Sequence, residues 1–221
     1  MPSPTCSPTA TRDLELRIGV SRKVRRRATE HPGIPETTVL RRWRRLTMTA
    51  TDGSTYHGCR LPPSLWHMVG AAISRDPRAI DMPVAQFAAH VADVRAAARV
   101  GDTHWGSVPA DALLALLKYL RRTRRLAPIL AAHAEAARYG VPDLLLYRKR
   151  GDTYCDFRFV EVKRHDERLR ADQLAELHLL RSLRLCAGIV RLEKPAADPT
   201  LTPTRHVRAG QPTSDALHGE A

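Results

Sequence analysis

Three residues in the C-terminal half have types and spacing that could do chemistry together. Asp143 follows Pro142 at the start of an apolar run, and Glu161 and Lys163 flank Val162 in the next one. Side chains two apart on a strand point to the same face, so Glu161 and Lys163 project together. If the two runs pair as neighbouring strands, Asp143 reaches that face as well. Two carboxylates and an ammonium on apolar strands make a site for a hard divalent cation with a water beside it.

The elements that must position these residues run from Leu126 onward. Leu126, Ile129, Leu130, His133 and Ala137 give one helix face. The segment DLLLYR is a continuous apolar strand, as expected when both faces are covered. DFRFVEVK alternates, with Phe157, Phe159, Glu161 and Lys163 in one set. LRADQLAELHLLRSLR is a helix with Leu177 and Leu180 inward, and CAGIVRL is a closing strand. The order helix, strand, strand, helix, strand predicts an α/β fold, a small mixed sheet flanked by helices.

The strings GVPDLLLYR and FVEVKRHDERLRADQ together resemble the VRR-NUC family of the PD-(D/E)xK nuclease superfamily. The resemblance spans about residues 126–193. It implies the αββαβ core of those enzymes and hydrolysis of phosphodiester bonds in DNA, assisted by Mg²⁺ or Mn²⁺. It implies that Asp143, Glu161 and the backbone carbonyl of Val162 bind the metal. Lys163 would hold or activate the attacking water, and Gln173 would orient Lys163 or a phosphate oxygen. The family usually has glycine, often Gly-Pro, after the lysine, where this chain has Arg164-His165. Glu135 stands where many superfamily members add a helical acid. His133 falls on an apolar helix face, as a packed core histidine does, and His165 and His178 flank the site in sequence. Two other readings stay open: a DNA-binding regulator on a core that no longer cuts, and a protein directed to RNA.

Composition supports a polyanionic partner. The 221 residues carry a formal charge of +13 and a pI near 10.4, with the excess mostly arginine, whose planar fork suits phosphates. Nucleic acid is the simplest such partner. The four cysteines, Cys6, Cys59, Cys155 and Cys186, show no metal-ligand spacing and fit a reducing compartment. No apolar run approaches the roughly 18–20 residues that span a bilayer, and the N-terminus has no apolar secretory core. These features place the expected location in the cytoplasm or at the nucleoid, with no membrane partner.

The rest of the chain divides by composition. Residues 1–12 and 196–221 read as disordered tails. Residues 13–46 read as a basic arm or two short helices broken at Gly33 and Pro35, with Thr37 or Thr38 capping the second. Residues 47–125 are mainly helical. Leu65, Met68, Val69 and Ala72 mark a first helix, Val84, Phe87, Ala88 and Val91 a second, and Leu113, Leu116, Leu117 and Leu120 a third. The strand–helix–helix order over about 47–95 is similar to ribbon-helix-helix modules, which would imply a homodimer that pairs STYHGCRLP with its twin. A plain helical packing segment is the alternative.

Overall fold

The computed structural model describes residues 15–19, 34–45, 52–99, 103–135 and 140–193. Five strands form one sheet: β1 (Glu15–Gly19), β2 (Thr55–Arg60), β3 (Leu144–Arg150), β4 (Thr153–Arg164) and β5 (Cys186–Glu193), in the order β1-β5-β4-β3-β2. The helices are α1 (Ile34–Arg45), α2 (Leu65–Arg75), α3 (Val84–Ala97), α4 (Ala110–Arg122), α5 (Leu126–Glu135) and α6 (Ala171–Ser182). Strands β2, β3 and β4 pair antiparallel, while β4, β5 and β1 pair parallel. The predicted αββαβ core is present as α5-β3-β4-α6-β5.

The β3–β4 hairpin turns through Gly151-Asp152, with Gly151 at φ +55°, a left-handed conformation that glycine adopts at little cost. Further along, β4 carries one extra residue opposite Leu146–Arg148, and Asp156 takes φ +54° there. The bulge brings Tyr154 and Phe157 to one side of the sheet, where both rings pack on Tyr147. Beyond it Phe157, Phe159, Glu161 and Lys163 alternate inward, the set the sequence predicts. Helix α6 makes the crossover between the parallel strands β4 and β5, as such a pair requires.

Each sheet face has its own core. Leu145, Tyr147, Phe157, Phe159 and Ile189 pack under α2, α4, α5 and α6 in one cluster with Leu116, Leu117, Leu120, Ile129 and Leu180. The other face, with Leu144, Leu146, Val160, Val162, Val190 and Leu192, is covered by Val39, Leu40 and Trp43 of α1. A Cβ on Gly58 would come within 2.6 Å of the Leu40 side chain, so glycine there permits the close approach of α1 to β2.

The predicted helical stripes are buried at Leu65, Met68, Val69 and Ala72, at Phe87 and Val91, and at Leu113, Leu116, Leu117 and Leu120; Val84 instead faces solvent. Three expectations need correction. Residues 15–19, read as part of a basic arm, form a strand parallel to β5, because main-chain pairing needs no particular side chain. Helix α1 starts at Ile34, so Thr37 and Thr38 lie within it rather than at its cap; Pro35 suits a first turn, where its missing N–H is unneeded. The strand expected as a free ribbon is β2, which pairs antiparallel with β3 inside the chain, and α2 packs into the same core as the sheet. The proposed tails lie outside the described residues. Among the described residues no helix is long and apolar enough to cross a membrane. Cys59, Cys155 and Cys186 are free thiols, and burial pushes the Cys59 thiol up to about 12.

Candidate active site

Asp143 immediately precedes β3, and its carbonyl accepts the Leu61 N–H at 2.9 Å, which ties the strand start to the segment after β2. Its carboxylate Oδ2 accepts the Val162 N–H at 2.8 Å. On a strand a residue's N–H and C=O point to the same side, so the Val162 carbonyl faces the Asp143 side as well. Glu161 and Lys163 sit on the opposite main-chain phase, 2% and 3% exposed. Lys163 Nζ lies 3.0 Å from Glu161 Oε1 and 3.0 Å from Glu167 Oε1. The structure thus brings Asp143, Glu161, Val162 and Lys163 together, with Gln173 approaching from α6.

Gln173 reaches the site because α6 turns its buried stripe toward β4. Gln173, Glu176, Leu177 and Leu180 all lie on that stripe. Gln173 Nε2 donates to Glu161 Oε1 at 2.5 Å, and its Oε1 accepts the Arg170 N–H at 3.1 Å. The second contact closes a capping box at the helix start. The expected partner of Gln173 was Lys163 or a phosphate oxygen. In the structure its amide holds Glu161, and Lys163 is held by two glutamates.

Burial and mutual repulsion set the electrostatics of the two carboxyls. Burial pushes the Asp143 carboxyl up; the Val162 N–H opposes this, and the charge of Glu36 adds to it. Burial also raises Glu161, and repulsion from Asp143 adds to it, so that its pKa is about 7. Each carboxyl therefore favours its protonated form more than an isolated carboxyl does. Burial works against the Lys163 charge, but the ion pairs with Glu161 and Glu167 outweigh it and raise its pKa. Lys163 is therefore a fixed ammonium, a donor rather than a base.

The other sequence candidates lie elsewhere. His133 is buried and its Nε2 lies 3.0 Å from Glu176 Oε2, while Trp66 Nε1 donates to Glu176 Oε1 at 3.2 Å. It is a core histidine, as its place on an apolar face implied. Glu135 is exposed at the end of α5, and His178 is exposed on the side of α6 away from Gln173. His165 is exposed and lies 3.6 Å from Asp166.

Four supporting residues escaped the sequence reading. Glu36 stands in the first turn of α1, near enough for its charge to act on Asp143 and 3.5 Å from Arg60. The arginine run around it hid it. Glu167 holds Lys163, and Arg191 donates to the carbonyls of Arg164 and Glu167, both at 2.8 Å. Those bonds fix the Arg164-His165 turn that departs from the family's Gly-Pro. Glu176 was visible in principle, because it shares the helical spacing of Gln173, Leu177 and Leu180. Among the described residues no three His, Cys, Asp or Glu side chains form a metal cluster.

Residues 103–191 match the VRR-NUC domain family. The match takes in α4, α5, β3, β4, α6 and most of β5, with every residue of the site except Glu36. It begins before the stretch that the motifs alone delimit, in keeping with the core that α4 shares with the sheet. The fold is also similar to a crystal structure of paFAN1 bound to DNA with a 2-nucleotide 5′ flap and a gap. That likeness has a TM-score of 0.54 and 14% identity over 86% of this chain and 39% of the other. A second paFAN1 structure, with a 1-nucleotide flap, matches at a TM-score of 0.40, 14% identity, 85% of this chain and 39% of that one. The chain therefore spans well under half the length of paFAN1. At that identity the likeness bears on the fold alone: a mixed α/β sheet flanked by helices. No curated protein matches the sequence.

Proposed function

We propose that the protein is a nuclease that hydrolyses phosphodiester bonds in DNA with Mg²⁺ or Mn²⁺, acting on branched or flapped substrates. The observation that carries this is the pair of carboxyls, the buried Glu161 and the half-buried Asp143, brought together beside the Lys163 ammonium. Such a pair relieves its repulsion by taking up either a proton or a hard cation. The donor set is all oxygen, as Mg²⁺ and Mn²⁺ prefer, so the residues fit the ion.

Asp143, Glu161 and the Val162 carbonyl would hold the metal. When bound, the ion lowers the pKa of a water and offsets charge on the scissile phosphate. Lys163 has three N–H donors. Glu161 and Glu167 take two, and the third can orient the attacking water or a phosphate oxygen. Gln173 fixes Glu161 from behind, so the carboxylate does not have to reorganise during the reaction. DNA as substrate rests on the nuclease-family domain, the basic charge and the flap DNA bound by paFAN1.

The test is a cleavage panel of linear, flapped and branched DNA, each with Mg²⁺, with Mn²⁺ and with EDTA. Cutting in either ion, absent in EDTA and lost in Asp143→Ala, supports the assignment. Cutting that survives Asp143→Ala would falsify it. A protein that binds these DNAs and never cuts is instead a regulator on a nuclease-like core.

A further inference from the structure

The face of α1 that points away from the sheet has no role in the chemistry above. Val39, Leu40 and Trp43 face the sheet, and the Trp43 indole donates to the Tyr147 carbonyl at 3.2 Å. That packing fixes the rotation of the helix. Arg41 and Arg45, one turn apart, lie opposite the buried positions and are exposed. Arg42 and Arg44 flank them, also exposed, with Arg44 donating to the Gly58 carbonyl at 3.0 Å. No acidic residue follows Glu36 in the helix.

The direction of the helix connects this face to the site. Glu36, in the first turn, lies 3.5 Å from Arg60, next to Leu61, whose N–H donates to the Asp143 carbonyl at 2.9 Å. Trp43, two turns later, contacts Tyr147, four residues along β3 from Asp143. So α1 runs beside β3 away from the carboxyl pair, and Arg41 and Arg45 stand roughly 8 and 14 Å along the helix axis from Glu36. Arginines in a last turn do complement the helix dipole. Like charges one turn apart, however, repel, and nothing in the dipole calls for an arginine as early as Arg41.

We infer that Arg41 and Arg45 form a rail for the sugar–phosphate backbone of the duplex flanking the cut. This inference takes its orientation from the nuclease reading of Asp143 and Glu161. A polyanion removes the repulsion between the two guanidiniums, and contacts of this kind carry no sequence information. By contrast, Arg148 and Arg158 on the same sheet face are paired with Asp52 and Asp156 and are not part of the rail.

The experiment is a salt titration of binding to one labelled duplex, in EDTA so that binding is read apart from cleavage. The full chain is compared with Arg41→Ala/Arg45→Ala and with Arg41→Lys/Arg45→Lys, all checked for folding by circular dichroism. Each phosphate contact contributes about 0.9 to the slope of log affinity against log salt. The alanine pair should flatten that slope by about 1.8, and the lysine pair should keep it. If a folded alanine pair has the slope of the parent, the rail does not exist, whether or not the protein cuts DNA. If the lysine pair loses the slope as fully as the alanine pair, the contact is not one of charge with phosphate, and the inference fails.

Discussion

At the scale of single residues, the account turns on one proton. Burial and the charge of Asp143 raise the Glu161 carboxyl to about 7, and burial raises Asp143 as well. A cation that takes the place of the proton must release it. Calorimetric titration of Mn²⁺ near pH 6, in two buffers of different ionisation enthalpy, should therefore show release of close to one proton. The release should fade above about pH 8, where the pair has already lost its proton. Binding with no proton release at the lower pH would mean that the ion sits elsewhere. Lys163 carries a second prediction. Its charge is fixed by Glu161 and Glu167, so it serves as a donor, and Lys163→Ala should lower turnover by about 10²-fold or more. If affinity falls and turnover stays, Lys163 is a phosphate clamp and not a water holder.

At the scale of elements, α6 is what aims Gln173, and α6 is itself anchored one turn on. Glu176 is buried between the Trp66 indole of α2 and His133 of α5. Glu176→Ala would leave the Trp66 N–H without that acceptor, and a buried donor so treated costs about 1–3 kcal/mol. Urea unfolding should show a loss in that range, with Glu176→Gln milder because it keeps an acceptor oxygen. Equal losses for both would mean that the carboxylate charge, not the Trp66 contact, stabilises the packing. The same elements show what the sequence could reveal. The core strands and α6 were legible because apolar runs and alternation report burial directly, and the carboxyl pair because it stands at fixed offsets on them. Helix α1 was obscured because Val39, Leu40 and Trp43 are a thin apolar stripe among arginines. Strand β1 was obscured because its place is set by pairing with β5. The contact of Gln173 with Glu161 was not legible because spacing gives the face and not the competition among groups on it.

At the scale of the whole molecule, residues from Cys59 to Ile189 share one apolar cluster. The helical segment before Leu126 is therefore part of the body that holds the site, and unfolding should be a single cooperative step. Leu116→Ala, in the centre of that cluster, should cost about 2–5 kcal/mol and shift tryptophan fluorescence and far-UV circular dichroism together. Separate transitions would divide the chain in two. The metal-free protein should also respond to pH with a definite sign. The folded chain keeps the Glu161 proton up to about pH 7, whereas the unfolded chain releases it at ordinary carboxyl values. Stability therefore falls as pH rises between those limits, and added Mg²⁺ or Mn²⁺ should stabilise more at about pH 8 than at about pH 5. The most direct test of the central claim is single-turnover cleavage of a flapped duplex by the parent and by Glu161→Gln. The variant keeps size and hydrogen bonding and removes the charge. The account predicts cutting by the parent in Mg²⁺ or Mn²⁺ and none in EDTA. It predicts a rate at least about 10²-fold lower for the variant, with DNA affinity in EDTA retained. Equal rates for the two proteins, or cutting by the parent in EDTA, would contradict it.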